Sequence, residues 1–416
     1  MGSRPTLLVV YDIGSLGPTR LAEAAQQNDC DLVFLAAATD HVREIFPVLD
    51  MVGTVLDTSS LAPDDLLRSL SALRPAGIVT FSENQLATTV RLAESLGLPC
   101  HRSADLEAIT HKDRQRERLA ESGVEQIRFF TLTAPEQADE AISHVGLPAI
   151  IKPVVGTSSR NTVEVATPDQ CRDVLAAVFS RDGARPAETA VILEEVLVGR
   201  PVPAPWGDYM AVNCVATDDD VRPVFATSKF ALAQPFRARG GYGDRSIVPD
   251  AEFQAVRELA CRAVRAVGAH GIADVEIKLT PSGPRVIEVN GRLGAWVDDL
   301  AVRSHTSDPA QIAVRAALGR PVEAPVDQKS GPIAFHYLVL PPVTARRVRA
   351  IRDVQALRRL PNVDRVSILA EPGARVDWQL GTIGNVATVT GTTRTHEELA
   401  ETVSAVEGTD WIDYDR

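Results

Sequence analysis

Two glutamates, Glu276 and Glu288, are placed so that together they could hold a cation. Each lies in a stretch that alternates polar and apolar residues, 274–279 and 285–290. Alternation with a period of two predicts β-strands, because successive side chains of a strand point to opposite faces. Residues 280–284 contain the Pro and Gly typical of a turn, so the two stretches predict an antiparallel hairpin.

The register of this hairpin decides whether the two carboxylates meet. If Thr280 faces Pro284, Glu276 lies directly opposite Glu288, and Asn290 projects to the same face two residues further on. Directly opposed carboxylates repel each other, and a hard divalent cation between them makes the arrangement favourable. The other face of the hairpin is expected to pack in the core, and it carries Ile277, Ile287 and Val289.

Two carboxylates and one amide oxygen form a good Mg²⁺ site when phosphate oxygens and water complete it. Arg292 follows Asn290 closely, and a guanidinium beside paired carboxylates suits the charge of a transferring phosphoryl group. The alternative interpretation is a solvent-facing hairpin whose register has slipped by one residue and whose acids lie there by chance.

Strands and helices alternate in the first hundred residues, which predicts a parallel sheet with helices on both faces. The turn after the first strand holds Gly14 and Gly17 but not the spacing of a dinucleotide-binding loop, so it is interpreted as a tight turn. The predicted strands are Thr6–Tyr11, Leu32–Ala37 and Gly77–Phe81, and the predicted helices are Thr19–Asn28, Asp64–Leu73 and Gln85–Gly97.

Composition excludes several classes of partner. The formal net charge is −12 and no long basic block occurs, which argues against nucleic acid. No apolar run approaches the length of a membrane span. The five cysteines are dispersed without metal-ligand spacing, as expected of reduced thiols in a cytoplasmic protein. Because only five of the 43 basic residues are lysines, each lysine is more informative than usual.

The ordered motifs of this chain resemble the ATP-grasp carboxylate–amine ligases, especially the bacterial L-amino-acid ligases that make dipeptides. The resemblance implies an α/β (α+β) chain with a Rossmann-like N-terminal domain at 1–105 and an ATP-grasp domain at 106–325. Within the latter, a mobile lid is expected at about 118–195 and the catalytic part at about 196–325. A strand-rich α/β domain would occupy 326–416.

By this resemblance, Glu276 and Glu288 hold Mg²⁺, Asn290 holds a second ion and Arg292 stabilises the transferring phosphate. The run from Pro148 to Pro153 resembles the strand whose lysine, here Lys152, contacts the phosphates of ATP. Lys112 resembles an earlier lysine near the phosphates, although here it precedes an acid rather than following one.

The loop from Gly156 to Thr162 resembles the small loop that closes over the phosphates, with Ser158 and Ser159 as candidate contacts. A glycine that is usual there is absent, so which residue touches phosphate stays open. Residues 193–197 resemble the linker that contacts adenine, and its candidate residues are Glu194, Glu195, Val196 and Leu197. Asp208 is the candidate for the ribose.

On the substrate side, Lys229 is a candidate catalytic residue, and Arg237 and Arg239 are candidates to bind a substrate carboxylate. Glu83, near the end of a predicted strand, would lie by the substrate amine, and Trp296 would form a wall of the pocket. The alternatives are a solvated loop around the two arginines and core packing for the tryptophan.

The implied reaction uses ATP and two Mg²⁺ ions, with Mn²⁺ as an alternative metal, to join small-molecule carboxylate and amine substrates. An arginine-rich composition suggests a dipeptide or antibiotic biosynthetic pathway. Homodimers are common in the family, but the sequence does not decide the oligomeric state. Two alternatives stay open. One is activation of bicarbonate or a purine precursor by the same fold, and the other is a non-catalytic ATP-binding protein.

Overall fold

A computed structural model describes residues 4–59, 61–180, 187–243, 248–323, 331–408 and 411–415. The N-terminal part is a parallel sheet in the order β3-β2-β1-β4, with helices between its strands. Its elements are β1 (Thr6–Tyr11), α1 (Pro18–Gln27), β2 (Asp31–Ala36), α2 (Asp40–Val52), β3 (Thr54–Asp57), α3 (Pro63–Ala72), β4 (Gly77–Val79) and α4 (Leu86–Leu96).

The strands and helices predicted for this part are all present. Their ends lie within two residues of the predicted positions. Two elements were not predicted, α2 and β3. Helix α2 contains Pro47, which usually interrupts a helix, and β3 has only 4 residues and no fully buried side chain. The proline argues against a helix at α2, and β3 is too short for strand alternation to identify it.

The second part begins with two short helices and continues into an antiparallel sheet of four strands, in the order β5-β8-β6-β7. Helices α7 and α8 pack with this sheet around their own apolar cluster. The elements are α5 (Leu106–Thr110), α6 (Lys112–Glu121), β5 (Phe129–Leu132), α7 (Ala138–Val145), β6 (Ala149–Pro153), β7 (Val163–Val165), α8 (Pro168–Phe179) and β8 (Val191–Glu195).

The largest sheet is antiparallel and has eight strands, in the order β13-β12-β9-β10-β11-β14-β17-β16. A two-stranded sheet, β15-β18, and a 3₁₀ segment at Trp378–Gly384 accompany it. The elements are β9 (Trp206–Ala216), β10 (Val221–Phe230), β11 (Gly240–Tyr242), α9 (Asp250–Ala266), β12 (Gly271–Thr280), β13 (Gly283–Asn290), α10 (Val297–Arg303), α11 (Pro309–Ala317), β14 (Ile333–Val339), β15 (Arg347–Ile351), α12 (Val354–Arg358), β16 (Val363–Ile368), β17 (Ala387–Thr393), α13 (His396–Gly408) and β18 (Ile412–Asp415).

The central sheet runs across the domain boundary predicted at 325/326. That boundary falls in 324–330, outside the described residues, and the division into three domains stays a prediction. Strands β14, β17 and β16 come after it in the chain, yet they extend the sheet that β9 to β13 begin. The C-terminal strands therefore form one continuous surface with the strands that carry the predicted metal ligands.

Helix α11 joins the N-terminal sheet to the central sheet. Its buried Ile312 and Val314 share one apolar cluster with Leu7 of β1 and Ile272 of β12. Burial of such aliphatic side chains is the main source of the attraction between the two sheets. In the described parts of the chain, no helix combines the length and apolarity needed to cross a lipid bilayer.

Candidate active site

The hairpin of β12 and β13 brings the two predicted carboxylates face to face. Glu276 pairs with Glu288 and Asp274 pairs with Asn290, in the predicted register. The turn differs from the prediction, because Thr280 pairs with Gly283 rather than with Pro284. A β-bulge just beyond Glu276 absorbs the one-residue difference.

The bulge changes the side chain that reaches the core. Val286 and Val289 of β13 are buried in the cluster with Ile277, whereas Ile287 is only partly buried and lines a cavity. The prediction that Ile287 packs in the core is therefore wrong. The extra residue of a bulge breaks strict alternation, and a period-two pattern cannot anticipate this.

A cavity of about 630 Å³ lies between the N-terminal sheet, the α7–α8 part and the central sheet. Most of the residues predicted to take part in catalysis or to bind ATP, metal or substrate lie in its wall. Those that line it are Glu83, Lys112, Lys152, Ser158, Ser159, Glu194, Glu195, Leu197, Lys229, Glu276, Glu288, Asn290, Arg292 and Trp296. Four predicted residues are not in the wall, namely Val196, Asp208, Arg237 and Arg239.

The two facing carboxyl groups have different electrostatic settings. Burial raises the pKa of Glu276 more than the charge of Lys229 lowers it. Burial also opposes the charge of Glu288, but Lys112 and Lys152 outweigh it and lower the pKa of this carboxyl group. Lys112 Nζ lies 3.0 Å from Glu288 Oε1. One carboxylate is thus held charged by lysines, while the other has an incomplete set of partners that a cation would complete.

The donor set fits a hard cation that also carries phosphate. Asn290 donates from its amide nitrogen to Asp274 Oδ2 at 3.5 Å, which leaves the Asn290 amide oxygen for an ion. Asp274 accepts a second bond, from Asn213 at 2.8 Å. Within the described ranges, no group of three or more His, Cys, Asp or Glu side chains is arranged to hold a metal ion. An ion at this hairpin would therefore need ligand oxygens as well as protein oxygens.

Arg116 is a buried residue of the site that the sequence prediction missed. Its guanidinium donates to Glu194 Oε2 at 3.0 Å and to the carbonyl of Ile287 at 2.5 Å. Lys152 Nζ lies 2.6 Å from the other oxygen, Glu194 Oε1. Burial raises the pKa of Glu194, but Arg116 and Lys152 outweigh it and bring it to about 2. Arg116 lies one helical turn beyond Lys112 on α6, a spacing that could have identified it.

Both carboxylate oxygens of Glu194 are therefore engaged within the protein. The predicted contact of Glu194 with adenine stays a prediction, and it would have to share an oxygen that Arg116 or Lys152 already uses. The arrangement itself joins three parts of the site, because β8 carries Glu194, β6 carries Lys152 and α6 carries Arg116. Nothing in the local sequence of β8 indicates these two ion pairs.

The predicted phosphate loop is anchored to the C-terminal part of the chain. The backbone nitrogen of Thr382 donates to the Ser158 carbonyl at 2.8 Å, and the backbone nitrogen of Asn161 donates to Gln379 at 3.1 Å. Ser158, Ser159 and Asn161 have φ of 60°, 57° and 50°, a region that residues with a side chain seldom adopt. Lys112 Nζ donates to the carbonyl of Gly156 at 2.9 Å, which ties the loop to α6.

On the substrate side, Arg292 Nε lies 3.1 Å from Glu83 Oε2. Burial raises the pKa of Glu83 more than Arg292 lowers it. Lys229 Nζ lies 6.0 Å from the centre of the Trp296 ring, and its charge acts on Glu276. Trp296 stacks on His336, a residue that the sequence analysis did not single out.

Two predicted substrate residues point away from the cavity. Arg237 donates to the carbonyls of Gln234 and Pro341, at 2.8 and 2.9 Å. Arg239 pairs with Glu407. Their neighbours Phe236 and Ala238 line the cavity instead, on either side of the bridge between Ala233 and Arg237 that closes the turn at 234–236. The geometry does not favour a substrate role for the two arginines.

The candidate for the ribose is also engaged elsewhere. Asp208 accepts from Lys278 Nζ at 2.7 Å, and of these two residues only Lys278 lines the cavity. Val196 lies between the cavity-lining Glu195 and Leu197 without lining the cavity itself. A contact of the Val196 backbone with adenine would not require its side chain in the wall. These two assignments stay predictions.

Comparison with known proteins adds relatives and structural neighbours, although no family model matches the chain. An uncharacterized protein of Sinorhizobium fredii is 25% identical over 259 residues, 60% of this chain and 50% of that protein. A D-alanine–D-alanine ligase of Cupriavidus metallidurans is 27% identical over 223 residues, 51% of this chain and 65% of the enzyme. The matches thus span about half to two thirds of these curated relatives.

Solved structures resemble the whole chain. An L-amino acid ligase from Bacillus licheniformis has a TM-score of 0.74 at 20% identity and covers 100% of both chains. A carboxyaminoimidazole ribonucleotide synthase from Aspergillus clavatus, solved with ATP, has a TM-score of 0.69 at 18% identity, covering 98% of this chain and 99% of the other. At such identities the likeness concerns the fold, and it confirms the predicted mixed α/β class.

Proposed function

We propose that this chain, which has the ATP-grasp fold, is an ATP-dependent ligase that forms an amide bond between two amino-acid-like substrates. The observation that carries the proposal is the facing pair of Glu276 and Glu288, with Asn290 and Arg292 beside it in one cavity. Opposed, partly buried carboxylates are unfavourable unless a cation joins them. A cation with open coordination positions, next to lysines and an arginine, suits a nucleoside triphosphate.

The proposed roles follow from charge and position. Lys112 and Lys152 would neutralise phosphate oxygens of ATP, and the backbone of the 156–162 loop would cover them. Glu276, Glu288 and Asn290 would hold Mg²⁺, which when bound draws negative charge from the phosphates. Arg292, held by Glu83 at 3.1 Å, would stabilise the transferring phosphoryl group.

The proposed reaction has two steps. A carboxylate oxygen of the first substrate attacks the γ-phosphorus of ATP, the bond to the bridging oxygen breaks, and ADP leaves. The neutral amine of the second substrate then attacks the acyl carbon, and the carbon–oxygen bond breaks to release phosphate. The nitrogen loses one proton to become an amide. The protein aligns the reactants and excludes water, because water would hydrolyse the acyl phosphate.

The test is ADP and phosphate release over a panel of amino-acid pairs, with mass spectrometry of the products. Wild type should release ADP only when both a carboxylate and an amine are present. Glu288→Gln keeps the shape of the side chain but removes a charge from the metal site, so turnover should fall by about 100-fold or more. The exposed Glu258 on α9 provides the control variant Glu258→Gln. Full turnover by Glu288→Gln, with its circular dichroism unchanged, would contradict the metal site.

A second candidate function is activation of bicarbonate or of a purine precursor. The observation in its favour is that several structural neighbours are carboxyaminoimidazole ribonucleotide synthetases. This chemistry would use the same phosphate end of the cavity with a different substrate end. ADP release that requires bicarbonate, and that no amino acid stimulates, would favour this candidate over the amide ligase.

A further inference from the structure

The wall of the cavity contains a histidine with a ring nitrogen that lacks a hydrogen-bond partner in the part of the chain that the structure describes. His336 lines the cavity, and its Nε2 is buried without a hydrogen-bond partner among the described residues. The ring stacks on Trp296, with ring centres 5.0 Å apart and planes at 19°. A buried polar atom without a partner is costly, and such an atom in a cavity wall is commonly satisfied by a ligand.

His336 lies far from the phosphate end of the site. Across the central sheet, Lys229 of β10 pairs with Gly241 of β11, and Gly241 pairs with His336 of β14. Counted along the sheet at about 4.8 Å per strand, His336 is two strands, roughly 10 Å, from the strand of Lys229 and four strands, roughly 19 Å, from the strand of Glu276. A substrate whose carboxylate reacts near Arg292 would therefore reach His336 only with the far end of its side chain.

Apolar side chains form much of the wall around His336, and the ion pair of Arg303 with Asp299 lies close enough to act on its pKa. Leu338, two residues along β14, projects into the same cavity, while Phe335 and Tyr337 point into the core. Leu369 and Ile383, each more than half exposed, add apolar surface to the cavity wall. Burial lowers the pKa of His336 to about 4, so the imidazole is uncharged at neutral pH. An uncharged ring offers no charge to pair with a charged ligand group, so an uncharged polar group is the better match.

We propose that His336 is a specificity-determining residue whose Nε2 forms a hydrogen bond with an uncharged polar group at the tip of one substrate's side chain. The proposal rests on the proposed function, because it assigns the substrate end of the same cavity. The favoured substrate is an amino-acid-like molecule with an apolar body, which packs along Trp296 and Leu338, and an uncharged hydroxyl or amide at its end. A site built to bond such a group rejects an analogue that lacks it.

The test uses side-chain pairs of equal shape, tyrosine with phenylalanine and glutamine with norleucine. Each is titrated calorimetrically into the full chain with Mg²⁺ and a non-hydrolysable ATP analogue, and each is assayed for ADP release with ATP. Wild type should bind the polar member of at least one pair ~10-fold more tightly. His336→Phe keeps the stacked ring and should abolish this preference, whereas His336→Gln, which keeps a polar atom at similar reach, should retain part of it.

His41 provides a matched control. Its Nε2 is also buried without a partner, but it lies on α2 and does not line the cavity, so His41→Phe should leave the preference unchanged. A preference that survives in His336→Phe overturns the proposal. So does a wild type without any preference, or an equal loss for both members of each pair. A wild type that discriminates in binding but forms no amide keeps the role of His336 and contradicts the ligase function instead.

Discussion

The facing carboxylates of Glu276 and Glu288 are arranged for a ligand rather than for stability. Lys112 compensates Glu288, whereas burial raises the pKa of Glu276. A carboxyl group whose pKa is higher in the folded protein than in the unfolded chain lowers stability at neutral pH. Part of the folding free energy is therefore given up at this site and would be recovered when a cation binds.

The variant Glu276→Gln tests whether folding free energy is given up at this site. The substitution removes the unfavourable charge while keeping the shape of the side chain, so the ligand-free protein should gain about 0.2 to 1 kcal/mol of stability. ATP turnover should fall at the same time, because a metal ligand is lost. Urea unfolding and ADP release measure the two effects, and Glu258→Gln controls for the loss of a charge. A variant that is less stable than wild type would refute this account of the pair.

Glu194, unlike Glu276, stabilises the folded protein at neutral pH, and this contribution depends on pH. Its pKa in the folded protein is about 2, below an ordinary value of 4.5. Its contribution to stability is therefore complete above about pH 4.5 and is lost as the pH falls toward 2. The stability difference between wild type and Glu194→Gln should shrink when unfolding is measured at pH values from about 5 down to 3. A difference that stays constant would mean that the ion pairs with Arg116 and Lys152 contribute nothing.

At the residue scale, contacts between residues close together in the chain were predicted better than contacts between distant segments. The pairing of Glu276 with Glu288 was predicted from alternation and an assumed turn, and it holds because the bulge absorbs the error in that turn. Arg116 was missed because its partner Glu194 is far along the chain, and His336 was missed because only the folded sheet brings it to the cavity. Arg237 and Arg239 were selected for their chemistry, but other groups of the protein engage both of them outside the cavity wall.

Among the elements, the 3₁₀ segment Trp378–Gly384 has an unexpected position. It holds the predicted phosphate loop through the Thr382 backbone nitrogen, which donates, and the Gln379 carbonyl, which accepts, and Thr382 also lines the cavity. A segment from the C-terminal part thus contacts the loop at one end and the substrate region at the other. The conformation of the loop, with three residues at positive φ, depends on this support.

Gly381→Ala tests the support. A Cβ at Gly381 would lie 1.9 Å from the carbonyl oxygen of Ser158, so the segment and the loop would have to separate. The KM for ATP should rise by about 10-fold or more, because the loop would no longer be aligned. Gly373→Ala is the matched control, since Gly373 also has a positive φ, of 92°, but a Cβ there would meet no atom within 4 Å. Equal effects of the two variants would assign the change to backbone strain alone.

At the scale of the whole molecule, the central sheet determines which parts of the chain must fold together, because it combines β9 to β13 with the C-terminal strands. Phe230 and Tyr242 of the middle strands share an apolar cluster with Phe335 and Tyr337 of β14. A chain that ends at Arg320 would expose this cluster and leave β11 with an open edge. We expect such a chain to lose its cooperative thermal transition, measured by circular dichroism. A soluble fragment with a sharp transition would instead support the predicted separate domain at 326–416.

The predicted ATP-grasp fold is confirmed by the structural neighbours, and the parallel N-terminal sheet followed directly from alternating strands and helices. The sequence could not predict that β14, β16 and β17 extend the sheet to which the β12–β13 hairpin belongs. Pairing between strands far apart in the chain depends on packing, and local periodicity carries no information about it.

The bulge at Ile287 has a practical consequence. Because it absorbs the one-residue offset, the turn at Pro281 and Ser282 is uncoupled from the pairing of Glu276 with Glu288. Both turn residues are exposed. The tip of this hairpin is therefore a place to graft an epitope or a fluorescent label at Pro281 and Ser282 while Glu276 and Glu288 keep their register, so that the label could test the proposed binding of a nucleotide.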